Sequence, residues 1–505
     1  MNNPFILLPI ILQLFTAVVL LFFWKSTTWQ KRFSIVFSSV SLVTSSWLFS
    51  RVWTEGIQIT NMGNWEAPFG ITFVADLLAV TLVLLSSIAG LAVSIFSSAS
   101  MREERLKFGY YPILHFLIMG LQGAFLTGDI FNLYVWFEVI IITSFVLMTL
   151  GSKKQQLEGA LKYVSLNLLA SSIFLTGIGF LYGLTGSLNM ADLAIKIQEV
   201  ENRGLVQVTA SFFLVAFGIK SAIFPMYFWL PASYHTPPPA VASIFGGLLT
   251  KVGVYAMMRT FSLIFGGDQW MGDLLTGLAI LTIVAGAFGA MSHKHLGKIF
   301  GYLIICHIGF MVGGIALFSK AALIGTTFYL IHDILVKTNL FMVSGLVLKV
   351  NGAQNINMIG GMYKKYPLIS LLMALPLFSL VGIPPLSGFW GKIFFLQSAI
   401  ETKNYLLLSA IILGSFLTLW VIAKVWAEVF WKNKPFDAME IKGSQFQELS
   451  TLKQTGFVLP IVLLSMASLY VGLGAEKVLI LSEKIADQLV NPSPYIESVL
   501  QITLP

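Results

Sequence analysis

Charge is scarce in this chain. Only 11% of its 505 residues are Asp, Glu, Lys or Arg, while 56% are hydrophobic. Soluble domains carry about 25% charged residues, so a water-soluble globular fold is excluded. Cysteine is almost missing. The single Cys306 rules out an internal disulfide and every four-thiolate zinc or iron–sulfur site. No GxxxxGK[ST] loop occurs, so nucleotide-driven work by this chain is not expected. The run GFWGK lacks both the glycine spacing and the Ser/Thr of such a loop. GxGxxG after a strand, GxSxG and HExxH are missing as well. No cofactor and no metal site are expected. The opening run MNNPFILLPIILQLF has no positive segment and no small-residue cleavage site, so a retained first helix is expected.

What is present is apolar sequence from end to end. Apolar stretches fall near 4–24, 33–53, 72–97, 109–127, 129–150, 159–184, 206–231, 240–264, 273–292, 299–317, 320–348, 367–396, 404–431 and 456–473. A membrane helix takes about 20 residues. The expected fold class is an all-α polytopic membrane protein with about 14 transmembrane helices. Stretches 206–231, 320–348 and 367–396 are too long for one straight span. Two of them hold internal prolines, Pro225 and Pro384-Pro385, which break a helix by removing a backbone donor. Freed backbone groups survive in a membrane only where protein or water satisfies them, so such breaks point to an ion or substrate site.

The net charge is +8, from 31 Lys and Arg against 23 Asp and Glu. A basic balance can signal nucleic acid. Here the excess lies in loops, and no nucleic-acid partner is expected. Alternate loops after the first helix hold seventeen Lys and Arg, including Arg102, Lys153, Lys298, Lys364 and Lys442. The opposite loops hold seven: Arg51, Lys196, Arg203, Lys320, Lys403, Lys477 and Lys484. The positive-inside rule then places both termini outside the cytoplasm and the polar loop 432–455 inside it. In the tail, Val478, Leu481, Ile485 and Leu489 recur at helical steps. A short amphipathic helix is expected there, docked on the membrane surface or on a partner.

Charges inside the predicted spans cost at least about 2.5–3.5 kcal/mol each. They are Lys162, Lys220, Lys251, Arg259, Lys337, Lys392 and Lys424, with Asp76, Glu138, Asp333 and Glu428 as acids. Lys162, Arg259 and Lys424 lie near helix ends, where a long side chain reaches the interface. Glu138, short-stemmed and set between LYVWF and VIII, has no such escape. Lys220 precedes Pro225, and Lys392 follows the Pro-Pro break. A lysine gains or loses its proton according to burial and nearby carboxylates, which arginine does not do. A glutamate–lysine pair in a membrane is therefore either a proton switch or a permanent ion pair joining two helices. Asp333 and Lys337, four residues apart with the acid first, suit an intrahelical salt bridge. His332 and His307 are intramembrane and titrate near neutrality in water, so both are candidate relay members. His293 and His295 fall in a loop and are expected to be solvated.

The segments GDIFNLYVWFEV, LVAFGIKSAIFPMYFWLPASYHTPPPAVASIFGGLLTKVGVY, YLIHDILVKTNLFMVSG and GIPPLSGFWGKIFF resemble the proton-translocating antiporter family. That family is shared by respiratory complex I and the Mrp cation/proton antiporters, and the resemblance covers about residues 70–430. It implies two inverted five-helix repeats, helices 4–8 and 9–13, with helices 7 and 12 broken. The implied divisions are 1–108, 109–264, 265–431 and 432–505. The resemblance implies a proton path through Glu138, Lys220, Lys251, His332, Lys337 and Lys392, with His307 and Asp333 as further candidates. Length and the tail NPSPYIESVL are most similar to the D-type subunits of Mrp antiporters. The N-type subunit of a redox-driven complex is the alternative, and an inactive scaffold a third. Implied partners are other membrane subunits, the lipid bilayer, and protons and Na⁺ as transported ions. Because lysines outnumber acids along this line, protons are expected here and Na⁺ in a partner subunit.

Overall fold

The computed structural model describes residues 3–435 and 446–503. Part of the loop 432–455, with Lys442, lies outside the described residues. The chain is an all-helical polytopic membrane protein apart from one small hairpin. Its principal helices are α1 (Leu8–Phe22), α2 (Thr27–Glu55), α3 (Leu77–Ser100), α4 (Tyr110–Leu126), α5 (Ile130–Thr149), α6 (Lys154–Thr185) and α7 (Arg203–Ser221). They continue with α8 (Pro239–Leu263), α9 (Gln269–Ser292), α10 (Leu296–Leu317), α11 (Lys320–Asn351), α12 (Pro367–Val381), α13 (Tyr405–Trp426) and α14 (Thr451–Leu473). Among the described residues twelve helices are long and apolar enough to cross a membrane, and α4 and α12 are shorter apolar ones. The apolar windows of α8 and α11 are buried along their whole length, so these two helices form the centre of the bundle.

The predicted third helix begins late. Residues 72–75 instead form β2 (Thr72–Ala75), antiparallel to β1 (Gln58–Asn61), with Ile59 opposite Val74. The Asp76 carboxylate accepts from the Ala79 amide at 2.9 Å, and this cap starts α3 at Leu77. Asp129, Asn189 and Asn202 cap later helices in the same way.

Both proline-bearing stretches break. After Ser221 the chain turns through Ala222 at φ +61 and resumes as Trp229–Ser233. After Val381 it turns through Gly382 at φ +87 and resumes as Ser387–Glu401. The two turns are built alike. The amides of Ile223 and Ile383 reach back five residues, to the carbonyls of Gly218 (2.9 Å) and Phe378 (3.4 Å). The third long stretch behaves differently. It holds no proline, and α11 runs unbroken for 32 residues, about 48 Å at ~1.5 Å per residue.

A further irregularity has no proline to announce it. Within α8, Phe245–Leu249 form a π-helical turn. Gly246 and Gly247 lie in that turn, and a Cβ on Gly247 would stand 1.9 Å from Thr338 Oγ1. Glycine is what lets α8 and α11 approach this closely.

Features of the first half recur in the second. α6 and α11 both have 32 residues. Isolated antiparallel bridges join Asp129 to Asn189 and His295 to Asn355, at the same displacement along the chain. Loops predicted to share one side also meet. Thr72 and Thr127 hydrogen bond with Asn189 and Asn132 near Asp129. Arg102, Lys153, His235, Gly297 and Gln354 line one cavity at the opposite end.

The tail forms α15 (Ala475–Val490) and α16 (Ser493–Leu500). α15 is amphipathic, as expected, but it docks on its own bundle. Val478, Ile485 and Leu489 are buried, and Lys320 at the start of α11 contacts Glu483 and Asp487 at 3.2 and 2.7 Å.

Candidate functional site

The π turn in α8 and the straight α11 set the centre of the site. The Lys251 ammonium lies 2.7 Å from the Asp333 carboxylate and donates to the Gly246 carbonyl at 2.7 Å. Both side chains are fully buried. The π turn supplies that carbonyl by displacing one backbone acceptor from the regular helical ladder. The expected intrahelical bridge between Asp333 and Lys337 is not formed. Asp333 turns across to α8, and the Lys337 ammonium has no hydrogen-bond partner among the described residues. Spacing permitted the local pair, but the gap opened by Gly246 and Gly247 offers Asp333 an ammonium already held by a carbonyl.

His307 extends the cluster. Its Nδ1 stands 3.5 Å from Asp333, and its Nε2 is 3.3 Å from the Thr418 hydroxyl. His332, beside Asp333, points elsewhere. Its Nδ1 is 2.8 Å from the Ser387 hydroxyl, which also meets Ser379 and Ser468 at 2.7 and 2.9 Å. Those hydroxyls gather at the α12 break, and no motif in the sequence marks them. Lys392 lies in the resumed half of that helix and donates to the freed carbonyls of Val381 (2.7 Å) and Leu380 (3.3 Å). Its ammonium is 5.6 Å from the Phe310 ring, so it faces the interior.

Glu138 and Lys220 lie on α5 and at the end of α7. The Lys220 ammonium sits 4.5 Å over the Phe137 ring, next to Glu138 in sequence. Among the described residues no ion pair of 4 Å or less joins Lys220 to Glu138, and one Glu138 oxygen is buried without a hydrogen-bond partner. A small cavity beside Lys220 is lined by Asn167 and Tyr163 of α6 and by Leu249 and Val252 of α8. The second cluster, around Asp333, thus has direct polar contacts. Leu249 and Val252, which flank Lys251 in sequence, line the cavity beside Lys220.

Two expectations need correction. Arg259 does not reach out to the interface. It is buried and pairs with Asp76 at 2.6 Å, because its acid partner comes from a distant segment that no local spacing reveals. His293 and His295 are half-buried rather than solvated: His293 packs on Tyr302 and His295 on His235. Lys162 and Lys424 do lie toward the outside. Lys162 pairs with Glu158 at 2.6 Å, and Lys424 lies 5.3 Å over Trp420.

Comparison with known proteins shows the family and the fold. Residues 127–418 match the family described as NADH:quinone oxidoreductase/Mrp antiporter, TM. The chain is 40% identical to the D-type subunit of the Na(+)/H(+) antiporter of Alkalihalophilus pseudofirmus, over 99% of this chain and all of that one. The fold superposes on a chain of the Mrp complex from Dietzia sp. DQ12-45-1b with TM-score 0.89 and 27% identity, covering 98% and 99% of the two chains. A chain of the membrane-bound sulfane sulfur reductase, an archaeal respiratory membrane complex, gives TM-score 0.90 and 25% identity over 98% and 99%. With a family match over residues 127–418 and full-length similarity to a curated relative, the chain belongs to the NADH:quinone oxidoreductase/Mrp antiporter transmembrane family.

Proposed function

We propose that this chain is the proton-carrying subunit of a multisubunit Na⁺/H⁺ antiporter in a bacterial cell membrane. The observation that carries this is the buried Lys251–Asp333 pair, with Lys337 and His307 beside it. Four amines, at Lys220, Lys251, Lys337 and Lys392, share two carboxylates, at Glu138 and Asp333. An excess of amines lets a proton reside on one lysine or another while Asp333 changes partner. Hydroxyls of Ser379, Ser387 and Ser468 and the Leu380 and Val381 carbonyls of the α12 break offer hydrogen-bonding sites around Lys392 and His332. The chain acts as a secondary transporter subunit, powered by ion gradients rather than by chemistry of its own. Its partners are the other membrane subunits of the complex and the surrounding lipid.

The repeat division 109–264 and 265–431 belongs to the same proposal. It is supported by the matching turns at Ala222 and Gly382, the equal lengths of α6 and α11, and the equally displaced bridges. The excess of Lys and Arg on alternate loops supports an orientation with both termini outside the cytoplasm.

The N-type subunit of a redox-driven complex is the competing reading, favoured by the similarity to the sulfane sulfur reductase chain. Purification of the native complex separates the two. Co-purifying small membrane subunits and Na⁺-dependent proton movement support the antiporter. Co-purifying redox-cofactor proteins would replace it with the alternative.

A further inference from the structure

Among the described residues, Arg259–Asp76 is the one other ion pair whose two side chains are both almost fully buried, and the path above does not use it. Lys251, Tyr255 and Arg259 stand four residues apart on α8 and share one face. The Tyr255 hydroxyl donates to the Phe125 carbonyl at 2.8 Å. The Arg259 guanidinium lies 5.7 Å from the Tyr255 ring and 5.0 Å from the ring of Tyr495 in α16. Polar groups therefore rise along α8 from Lys251 for about 12 Å, and the tail covers their far end. That end carries β2, the Asp129 cap and the tail, all assigned to the outer face by loop charge. The tail is held partly by exposed contacts, Lys320 with Glu483 and Asp487, and Lys484 3.9 Å over Trp53. Such surface pairs contribute about 0–1 kcal/mol each, so the buried Tyr495, Ile496 and Val499 are what hold this lid closed.

We propose that Asp76 is the outer exit of the proton path, covered by Tyr495 of the tail. This rests on the reading of the chain as a proton carrier. When the tail lifts, water reaches Asp76. A proton leaving the Lys251 amine passes through ordered water beside Tyr255 and binds the Asp76 carboxylate. Asp76 then gives it to outer water, and the carboxylate returns to Arg259. Arg259, Tyr255 and Tyr495 are the charged and titratable groups facing Asp76, and the Ala79 amide fixes its other side. Arg259, which does not give up its proton, acts as a positioning residue.

The test is cation-driven proton movement by the complete complex in right-side-out and everted vesicles, with pH varied on one face at a time. Asp76→Asn is expected to slow exchange about tenfold or more and to remove its dependence on outer pH, leaving the inner-pH profile in place. Tyr495→Ala is expected to displace the outer-pH profile alone. Asp76→Asn combined with Arg259→Met removes both charges. A purely structural clamp recovers normal exchange in that double variant, and an exit does not. Should Asp76→Asn fail to assemble, the double variant and Tyr495→Ala decide the matter. Wild-type exchange in the double variant, or equal displacement of both pH profiles, overturns the proposal. Glu138→Gln serves as the separate control. If it leaves proton movement intact, the proton-carrier reading itself fails. If it stops movement while the Asp76 and Tyr495 variants match wild type, only the exit fails.

Discussion

The Lys251 ammonium and the Asp333 carboxylate meet at 2.7 Å in the fully buried centre of the bundle, and the same ammonium is tied to the Gly246 carbonyl of its own helix. Breaking a buried pair by removing one partner strands the other charge at a cost of about 3–5 kcal/mol. Asp333→Asn is therefore expected to lower the thermal stability of the solubilised complex and to stop exchange. Adding Lys251→Met should restore most of the stability and none of the exchange. Full exchange in the double variant would remove the pair from the path.

Glu138 and Lys220 form no direct ion pair, so their removal should disturb packing little. Glu138→Ala and Lys220→Ala are each expected to cut cation-driven proton movement about a hundredfold with assembly retained. Dye-monitored proton movement in vesicles, normalised to the complex present, measures this. Normal transport by well-assembled Glu138→Ala would sink the proton-switch idea.

Asp129 caps α5 just outside the span, and burial pushes its carboxyl up to about 6 against the pull of the Asn132 and Phe131 amides. The folded protein thus holds this proton more tightly than the unfolded chain. The resulting stability is fully present below the unfolded value of 3.8 and is lost as pH rises through about 6. Asp129→Asn is expected to flatten this part of the stability profile by about 3 kcal/mol between about pH 4 and about pH 6. Unfolding of the detergent-solubilised protein across that range checks it, and an unchanged slope contradicts it.

Sodium should not follow the lysines. A bare cation entering the line from Lys220 to Lys392 meets four amines and two acids, and Coulomb repulsion is strong at low dielectric. The purified chain alone is expected to bind no Na⁺ saturably. A saturable site that disappears in Glu138→Gln would show that Na⁺ uses this path.

Much of this architecture is legible in the sequence, because apolar runs and prolines act locally. The helices follow the hydropathy, and the breaks fall at Pro225 and Pro384-Pro385. What escapes a sequence reading depends on contacts between distant segments. Asp333 looks paired with Lys337 until α8 is placed beside it. Arg259 looks like an interfacial side chain until Asp76 arrives at 2.6 Å. The π turn is marked only by Gly246-Gly247, a signal common to many tight helix contacts. The hydroxyls at the α12 break come from α12, its resumed half and α14, so no window of sequence contains them.

The order in which the two buried pairs appear during synthesis differs, and biogenesis inherits the difference. Asp76 is already in place when Arg259 leaves the ribosome, so the arginine enters the membrane toward a waiting acid. Lys251 has no such reception. Its acid, Asp333, follows about 80 residues later, roughly 4–16 s at ~5–20 residues per second. For that interval the nascent bundle holds a cation without its counter-charge. Until α11 is made, Lys251 must stay hydrated or give up its charge.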